Sequence, residues 1–367
     1  MRSGSHSSSF ASSSSPSSSS SSANVADIPN LLKKADNCMK PAGFFSTLLG
    51  RGSDFDAALS IYTQCAQRYK MARLWQESAD CYVRASIAAQ RMEDPSTEGQ
   101  MLVEAGNVLK RVSAQDAQEQ LEAAAQVYIQ QGRWGQAAKI YRSIAEMYEE
   151  DEGCHSHSFL GNTIGSLSTS DPHRGSSSSS STSAGGGGDS LNKILAFYKK
   201  AADTYELDEY GKSAYSQCRC KYAEYAAKND QTIDEAVKIF EQEGDKATRN
   251  NLLQFSAKDF YLKALVLLLA SGDTVSAKIA LERYMARDPR LEGSREGRLA
   301  SALVEAMGEG DAEAFTAAIE EYDRISKLDP WKVHFLLRAK RKLLHGDGSA
   351  EGVGGAVVDE DGGVDLS

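Results

Sequence analysis

Aromatic residues and alanines recur at fixed intervals between polar residues along the chain. The repeated set comprises Tyr69, Trp75, Ala79 and Tyr82, then Tyr128, Trp134, Ala138 and Tyr141, with an approximate echo at Tyr205, Tyr210 and Ala214. In each repeat a helix is predicted to end near a turn, at residues 72–74 and 131–133. The next helix then opens with an aromatic residue, followed four positions later by alanine. Because a small residue there lets the paired helix approach closely, the pattern predicts stacked helical hairpins.

The segments between these positions are rich in Ala, Leu, Glu, Lys and Gln and poor in proline, which favours helix nearly everywhere. We find no strand signals. The expected fold is all-α, with tetratricopeptide-like hairpins stacked into a curved sheet and a C-terminal helical bundle. An ordinary helical bundle whose aromatic residues fill a core is the alternative. The repeat period, nearer about 40 than about 34 residues, departs from regular tetratricopeptide spacing.

Changes in composition divide the chain into four predicted regions. A disordered serine-rich tail covers 1–23, and the hairpin sheet covers 24–270 with a disordered Ser/Gly-rich insert at 153–190. The helical bundle covers 271–345, and a flexible acidic tail covers 346–367. We expect the insert to fall between helices over 137–148 and 191–205. The bundle ends in a basic helix, 332–344, for which Asp329 is the expected N-cap and Pro330 suits the first turn.

Composition and charge narrow the class of protein. The 367 residues, 41% hydrophobic and 25% charged, are typical of soluble globular proteins. Apolar runs fall short of the ~18 residues that a membrane span needs. The serine-rich start lacks the apolar stretch of a secretory signal; a disordered tail and an organellar transit peptide remain open, and the cytosol is the expected location. A net charge of −10 disfavours general nucleic-acid binding.

Signatures of catalysis and metal binding are missing from the sequence. Phosphate-binding loops, dinucleotide fingerprints, hydrolase elbows and the HExxH motif are all absent. The six cysteines show no CxxC spacing and are interpreted as reduced thiols. His155 and His157 lie in the insert, where two histidines without further ligands would hold a metal weakly. We therefore expect neither an enzyme nor a cofactor or metal site.

One apolar segment invites a functional interpretation. Phe44, Phe45, Leu48 and Leu49 stand between Pro41 and glycine 50, which predicts an apolar loop between two helices. Such a loop could insert into a membrane interface, gaining a few kcal/mol of apolar transfer. It could equally fold back on its own helices.

Basic residues recur within or beside the predicted helices. They are Lys70, Arg73, Lys110, Arg111, Lys139, Arg142, Arg219, Lys221, Lys258 and Lys263. Because corresponding turns of stacked hairpins align, these side chains could form a basic stripe along one face. Scattered lysines and arginines are also typical of ordinary solvated surface.

The order of several short segments resembles the soluble NSF attachment protein family, in its alpha-SNAP form. These segments are Phe44-Phe45-Ser46 with Leu48-Leu49-Gly50, Tyr69-Lys70-Met71-Ala72, Ala105-Gly106-Asn107, Ile144-Ala145-Glu146, Ser256-Ala257-Lys258-Asp259-Phe260, Ser294-Arg295-Glu296, Tyr322-Asp323-Arg324-Ile325-Ser326 and Leu336-Leu337-Arg338. The resemblance runs from about residue 24 to residue 345. It is interrupted at the Ser/Gly-rich insert.

This resemblance implies a non-enzymatic adaptor in vesicle fusion and intracellular transport. Such an adaptor binds SNARE complexes along its curved face and recruits and stimulates the hexameric NSF ATPase for their disassembly. It implies a cytoplasmic protein that associates peripherally with membranes. The implied membrane contacts are Phe44, Phe45, Leu48 and Leu49; the SNARE-binding candidates are Lys70, Arg73, Lys110, Lys139, Lys221 and Lys258; the ATPase-stimulating end is Asp365 and Leu366.

Some positions depart from the family pattern. Gln217 and Gln254 stand where lysines are expected, so the basic face is thinner here. The tail after residue 345 is longer and glycine-rich. A generic tetratricopeptide-like scaffold for other peptide or helical partners is the alternative function, and it would need neither the apolar loop nor the Asp365-Leu366 end.

Overall fold

A computed structural model describes residues 26–40, 54–164 and 186–345 of the chain. Within these ranges the chain forms fourteen helices and no strand, which confirms the all-α prediction. The helices are α1 Ile28–Met39, α2 Phe55–Met71, α3 Trp75–Arg91, α4 Pro95–Leu109, α5 Ala114–Gln130, α6 Trp134–Ile164, α7 Gly186–Glu206, α8 Lys212–Ala226, α9 Ile233–Thr248, α10 Ala257–Ser271, α11 Thr274–Arg287, α12 Arg295–Glu309, α13 Ala312–Ile325 and α14 Pro330–His345.

Short turns separate the hairpin helices where the aromatic pattern predicts them. Trp75 and Trp134 are the first residues of α3 and α6, directly after the predicted turns at 72–74 and 131–133. The central residues of these turns, Arg73 and Gly132, have left-handed φ values of 61° and 70°. This conformation lets the chain reverse within three residues, because the amide after the turn can bond back into the finished helix. Leu74 N, for example, donates to Tyr69 O at 3.0 Å.

The alanines of the repeat take the predicted packing position. Ala79 and Ala138 are 1% and 0% exposed, so each lies against a neighbouring helix. Small residues continue this close packing elsewhere: a Cβ on Gly106 of α4 would lie 2.5 Å from Leu121 Cγ of α5. The hairpins therefore pack at distances that larger side chains would not allow.

The chain divides into two compact units, 1–151 and 152–367. In the first unit each of α2 to α4 packs against the next helix along the chain, and α1 packs against α2. Hydrogen bonds from Gln126 Nε2 to Tyr141 Oη and from Tyr148 Oη to Gln118 Oε1 join α5 to α6. In the second unit α10 is the central helix, since α9, α11, α12 and α14 all contact it. Its leucines Leu262, Leu265, Leu267 and Leu269 are all at most 1% exposed.

The second unit has one core on both sides of the predicted boundary at 270/271. Buried residues from Ala223 to Ala339 belong to a single hydrophobic cluster. Tyr261 of α10 and Tyr284 of α11 stack across this boundary, with ring centroids 4.5 Å apart. In the described residues, the start of the predicted bundle is therefore not a break in packing.

The helices beside the Ser/Gly-rich insert differ from their expected bounds. The sequence predicts that the helix before the insert ends at residue 148 and that the helix after it begins at residue 191. In the structure α6 continues to Ile164 and α7 begins at Gly186. Residues 149–164 contain no proline, and each residue added to an existing helix gains one backbone hydrogen bond. Of the predicted insert, only 165–185 lies outside the described residues.

Asp329 and Pro330 begin the last helix as the sequence predicts. Asp329 Oδ1 accepts a hydrogen bond from Lys332 N at 2.9 Å, and Pro330 is the first residue of α14. None of the described helices is both long and apolar enough to cross a membrane.

Candidate partner-binding surface

The lysines that the sequence nominates lie on alternate helices. Lys70, Lys139, Lys221 and Lys258 belong to α2, α6, α8 and α10, and Lys110 caps the end of α4. In stacked hairpins every second helix belongs to the same layer. Within each unit the candidate lysines therefore lie on one layer of helices, while Arg73 lies in the turn after α2, exposed to solvent.

In the first unit, side chains connect helices within that layer. Lys70 Nζ lies 3.3 Å from Glu104 Oε2, joining α2 to α4. Lys110 Nζ donates to Ser143 Oγ at 2.7 Å, joining α4 to α6. Lys139 lies four residues before Ser143 and so projects from the same side of α6. The structure thus brings Lys70, Lys110 and Lys139 together on one layer.

These three lysines differ in how available their charges are. Burial lowers the pKa of the Lys110 ammonium, against the opposing effect of Glu150 and Glu146. Lys70 is half-exposed, and its ammonium forms an ion pair with Glu104. Lys139 is exposed and has no hydrogen bond or ion pair with any residue that the structure describes. Lys139 is therefore the candidate in this unit that is most ready to meet an outside partner.

In the second unit the candidate lysines are engaged with carboxylates. Lys221 Nζ lies 3.9 Å from Glu224 Oε2, and Lys263 Nζ lies 2.8 Å from Glu224 Oε1. Lys258 Nζ lies 2.8 Å from Glu296 Oε2 and ties α10 to α12. Although burial opposes the effect, the Lys258 ammonium holds the pKa of Glu296 below its usual range. Lys258 thus has a structural partner besides any role in binding.

A charged and aromatic cluster beside this layer holds α14 in place. Lys332 is 7% exposed, and its ammonium lies 2.7 Å from both Asp259 Oδ1 and Asp329 Oδ2. Trp331 Nε1 donates to Glu224 O at 3.0 Å. The Lys263 ammonium lies 5.5 Å from the Phe240 ring and 5.7 Å from the Trp331 ring.

The sequence contains these residues but does not predict that they contact one another. Asp329, Pro330 and Trp331 mark only the start of a helix there, and Lys263 is one of the recurring basic residues. Their contacts span up to 107 positions of the chain, which no local pattern encodes.

The two glutamines that replace expected lysines are exposed or structural. Gln217 is exposed on α8. Gln254 accepts a hydrogen bond from Arg290 and donates one to Asn251 O at 2.8 Å. A lysine has no acceptor, so it could not replace the contact with Arg290. Gln254 therefore stabilises the segment between α9 and α10.

Two groups of candidate residues lie outside the described residues. They are the apolar segment Phe44, Phe45, Leu48 and Leu49 and the C-terminal pair Asp365 and Leu366. The structure gives the ends between which the apolar segment runs: α1 ends at Met39 and α2 begins at Phe55.

The described side chains offer little for catalysis. Burial raises the pKa of the Cys81 and Cys220 thiols to about 12, so both are protonated at neutral pH. Among the described residues, no three His, Cys, Asp or Glu side chains are grouped so that they could hold a metal ion.

Comparison with known proteins supplies the family. The sequence profile of the family described as "Soluble NSF attachment protein, SNAP" matches residues 26–160 and 182–344. The alpha-soluble NSF attachment protein of Vitis vinifera is 30% identical over 85% of this chain and 92% of its own length. The beta form of Bos taurus and the alpha form of Mus musculus are each 32% identical over 88% of this chain, covering 95% and 96% of those proteins.

A solved circular tandem repeat protein is 13% identical, with a TM-score of 0.37 over 88% of this chain and 77% of its own. The family profile spans most of the helices described above, on both sides of the Ser/Gly-rich insert. On this match and on the relatives that are at least 30% identical over nearly their whole length, the chain belongs to the soluble NSF attachment protein family.

Proposed function

We propose that this chain is a non-enzymatic adaptor that binds SNARE complexes and recruits and stimulates the NSF ATPase for their disassembly. The role serves vesicle fusion and intracellular transport. Membership of the family over both units is the observation that carries the proposal. The reactive groups of the described residues agree with a binding role, since the thiols of Cys81 and Cys220 are protonated at neutral pH.

The layer that carries Lys70, Lys110 and Lys139 is the proposed SNARE-binding face of the first unit. A helical bundle with an acidic surface fits a layer of helices that presents cations at regular intervals. Lys221 and Lys258 are the corresponding candidates of the second unit. Arg73 adds a further exposed cation at the end of α2.

The segment between α1 and α2 is the proposed membrane contact. Phe44, Phe45, Leu48 and Leu49 provide four large apolar side chains within six residues. An apolar segment of this kind binds the interface of a bilayer without spanning it. The protein would then be cytoplasmic and peripherally associated with membranes, with its local concentration raised near SNARE complexes.

Disassembly of a preformed SNARE complex by NSF and ATP tests this adaptor role. The intact chain should support disassembly. Leu366→Ala should slow disassembly while SNARE binding persists, because the proposed stimulating end lies apart from the binding face. Phe44→Ser combined with Phe45→Ser should slow disassembly only when the SNARE complex is anchored in liposomes. An intact chain that neither binds SNAREs nor recruits NSF would favour the generic helical scaffold instead.

Charge reversal at Lys139 tests the binding face itself. Lys139→Glu should weaken binding to a soluble SNARE complex about fivefold or more, the effect of losing roughly 1 kcal/mol of surface charge attraction. Since Lys139 has no partner among the described residues, the Lys139→Glu variant should have the same thermal unfolding temperature as the unmodified chain. The measurement is a binding titration at low and high salt.

Arg91→Glu is the matched control for this variant. Arg91 is an exposed cation at the end of α3, which belongs to the other layer of helices. The two variants carry the same change in net charge. Equal weakening by both would show a general charge effect and contradict a specific face.

A further inference from the structure

The turn between α4 and α5 carries two basic residues followed by a serine. Lys110, Arg111 and Val112 precede Ser113, which is the N-cap of α5. In the whole chain, Ser113 is the only serine or threonine with Lys or Arg at both the second and the third preceding position. Protein kinases with an acidic substrate cleft select serines by this spacing, because carboxylates in the cleft pair with both cations.

The turn presents the middle of this segment to solvent. Arg111 is exposed, Val112 is 51% exposed and Ser113 is partly exposed. The Arg111 guanidinium lies 5.1 Å from the centre of the Trp75 ring. Within the described ranges its side chain has no hydrogen bond or ion pair. The charge of Arg111 is therefore available to a carboxylate of a partner.

Lys110 is bonded to a neutral group and not to a carboxylate. Its ammonium donates to Ser143 Oγ at 2.7 Å. It forms no ion pair with any residue that the structure describes. Exchanging the Ser143 hydroxyl for a carboxylate of a kinase would replace a neutral hydrogen bond by a stronger, charge-assisted one.

Few contacts hold the turn closed. Val112 N and Ser113 N both donate to Leu109 O, at 2.8 Å and 2.9 Å. The Ser113 hydroxyl accepts a hydrogen bond from Asp116 N at 3.2 Å. Turns with so few buried contacts open locally at a lower cost than unfolding of the whole unit. The folded chain can thus extend this segment into the cleft of a kinase.

We propose that Ser113 is a phosphorylation site for a serine/threonine kinase that recognises basic residues. In this reaction Ser113 Oγ forms a bond to the γ-phosphorus of ATP, while the bond from that phosphorus to the β–γ bridging oxygen breaks. The hydroxyl proton passes to a carboxylate of the kinase, and ADP leaves.

The phosphate would reverse the charge of this turn. Residues 110–116 carry two cations and one carboxylate, Asp116. A phosphoserine adds about −1.5 to −2 charges at pH 7. Its oxygens are strong acceptors, so they can replace the Ser113 hydroxyl as the acceptor for Asp116 N. The first unit could therefore carry the phosphate while folded.

Phosphorylation of the purified full chain by the catalytic subunit of cyclic-AMP-dependent protein kinase with Mg-ATP tests the site. Mass spectrometry follows each serine separately. Ser326 is the internal control, because it is also partly exposed and lies outside the helices but has only Arg324, at the second preceding position. Ser113 should be modified at least about tenfold faster than Ser326.

Two results of this reaction would overturn the proposal. One is an equal rate at Ser113 and Ser326. The other is modification of Ser113 in a synthetic peptide of residues 105–120 but not in the folded chain, which would show that the turn does not open.

Arg111→Gln tests recognition by charge. This change should slow modification of Ser113 about tenfold, whereas Arg111→Lys should keep most of the rate because it keeps the cation. Arg91→Gln, which removes an exposed cation from the end of α3, is the matched control and should leave the rate unchanged. An unchanged rate for Arg111→Gln, or equal losses for the two glutamine variants, would contradict the proposal.

Both measurements use the isolated chain and a kinase, without SNAREs or NSF. Their outcome is thus independent of the proposed adaptor function.

Discussion

Gly297→Ala is expected to lower the free energy of unfolding of the second unit by about 3 to 5 kcal/mol. Gly297 lies in the first turn of α12 and is buried. A Cβ there would lie 1.9 Å from Leu291 O and 2.7 Å from Leu291 C. Because both are backbone atoms of a residue whose side chain is only 2% exposed, they cannot move aside without disturbing the core.

Gly308→Ala in the same helix is the matched control. A Cβ at Gly308 would meet nothing within 4 Å, and its φ is not left-handed. Alanine should therefore stabilise the helix by up to about 1 kcal/mol. Urea unfolding followed by circular dichroism measures both variants. If the free energy of unfolding of Gly297→Ala lies within about 1 kcal/mol of that of the unmodified chain, the segment before α12 shifts freely.

Trp331→Ala is expected to lower the free energy of unfolding of the second unit by about 3 to 4 kcal/mol. The Trp331 ring packs on Phe240 and Phe335, with centroid distances of 5.7 Å and 4.6 Å. Removing the ring also exposes one side of the Lys263–Glu224 ion pair and leaves Glu224 O without its donor. The lost packing and the lost hydrogen bond add to one another.

Trp331→Phe separates these two contributions. Phenylalanine keeps most of the ring packing but cannot donate to Glu224 O, so it should cost about 1 to 2 kcal/mol. Trp75→Ala in the first unit is the comparison, since Trp75 is half-buried and its ring lies 5.1 Å from the Arg111 guanidinium. Urea unfolding should rank Trp331→Ala as the most damaging of the three. Equal costs for Trp331→Ala and Trp331→Phe would mean that the ring itself contributes little.

The hairpin architecture could be predicted because its signals are local. The spacing of Trp75 and Trp134 from the preceding tyrosines marks the turns, and Gly132 suits a left-handed position. Arg73 and Glu93 take left-handed conformations as well, with φ of 61° and 55°. Neither residue favours that conformation. The packed helices impose it at these positions, so the sequence alone could not show it.

The candidate site could be predicted only in part, because pairing depends on distant residues. The sequence nominates Lys139 and Lys258 alike. The structure separates them: Lys139 is exposed without a partner in the described ranges, whereas Lys258 is bound to Glu296, 38 positions along the chain. Likewise, Gly297 looks like any glycine near a helix start. Its importance comes from the carbonyl of Leu291, whose position only the fold determines.

The shared core of the second unit governs how this end of the protein would respond to mechanical force. α14 contacts the central helix α10, and its Trp331 reaches α8. A pull or twist applied at the C-terminal end would thus pass directly into the most buried leucines of the unit. A separate terminal bundle would peel away first under the same torque. Work applied to the second unit by an ATPase would therefore spread through one shared core instead of being absorbed at a boundary near residue 270.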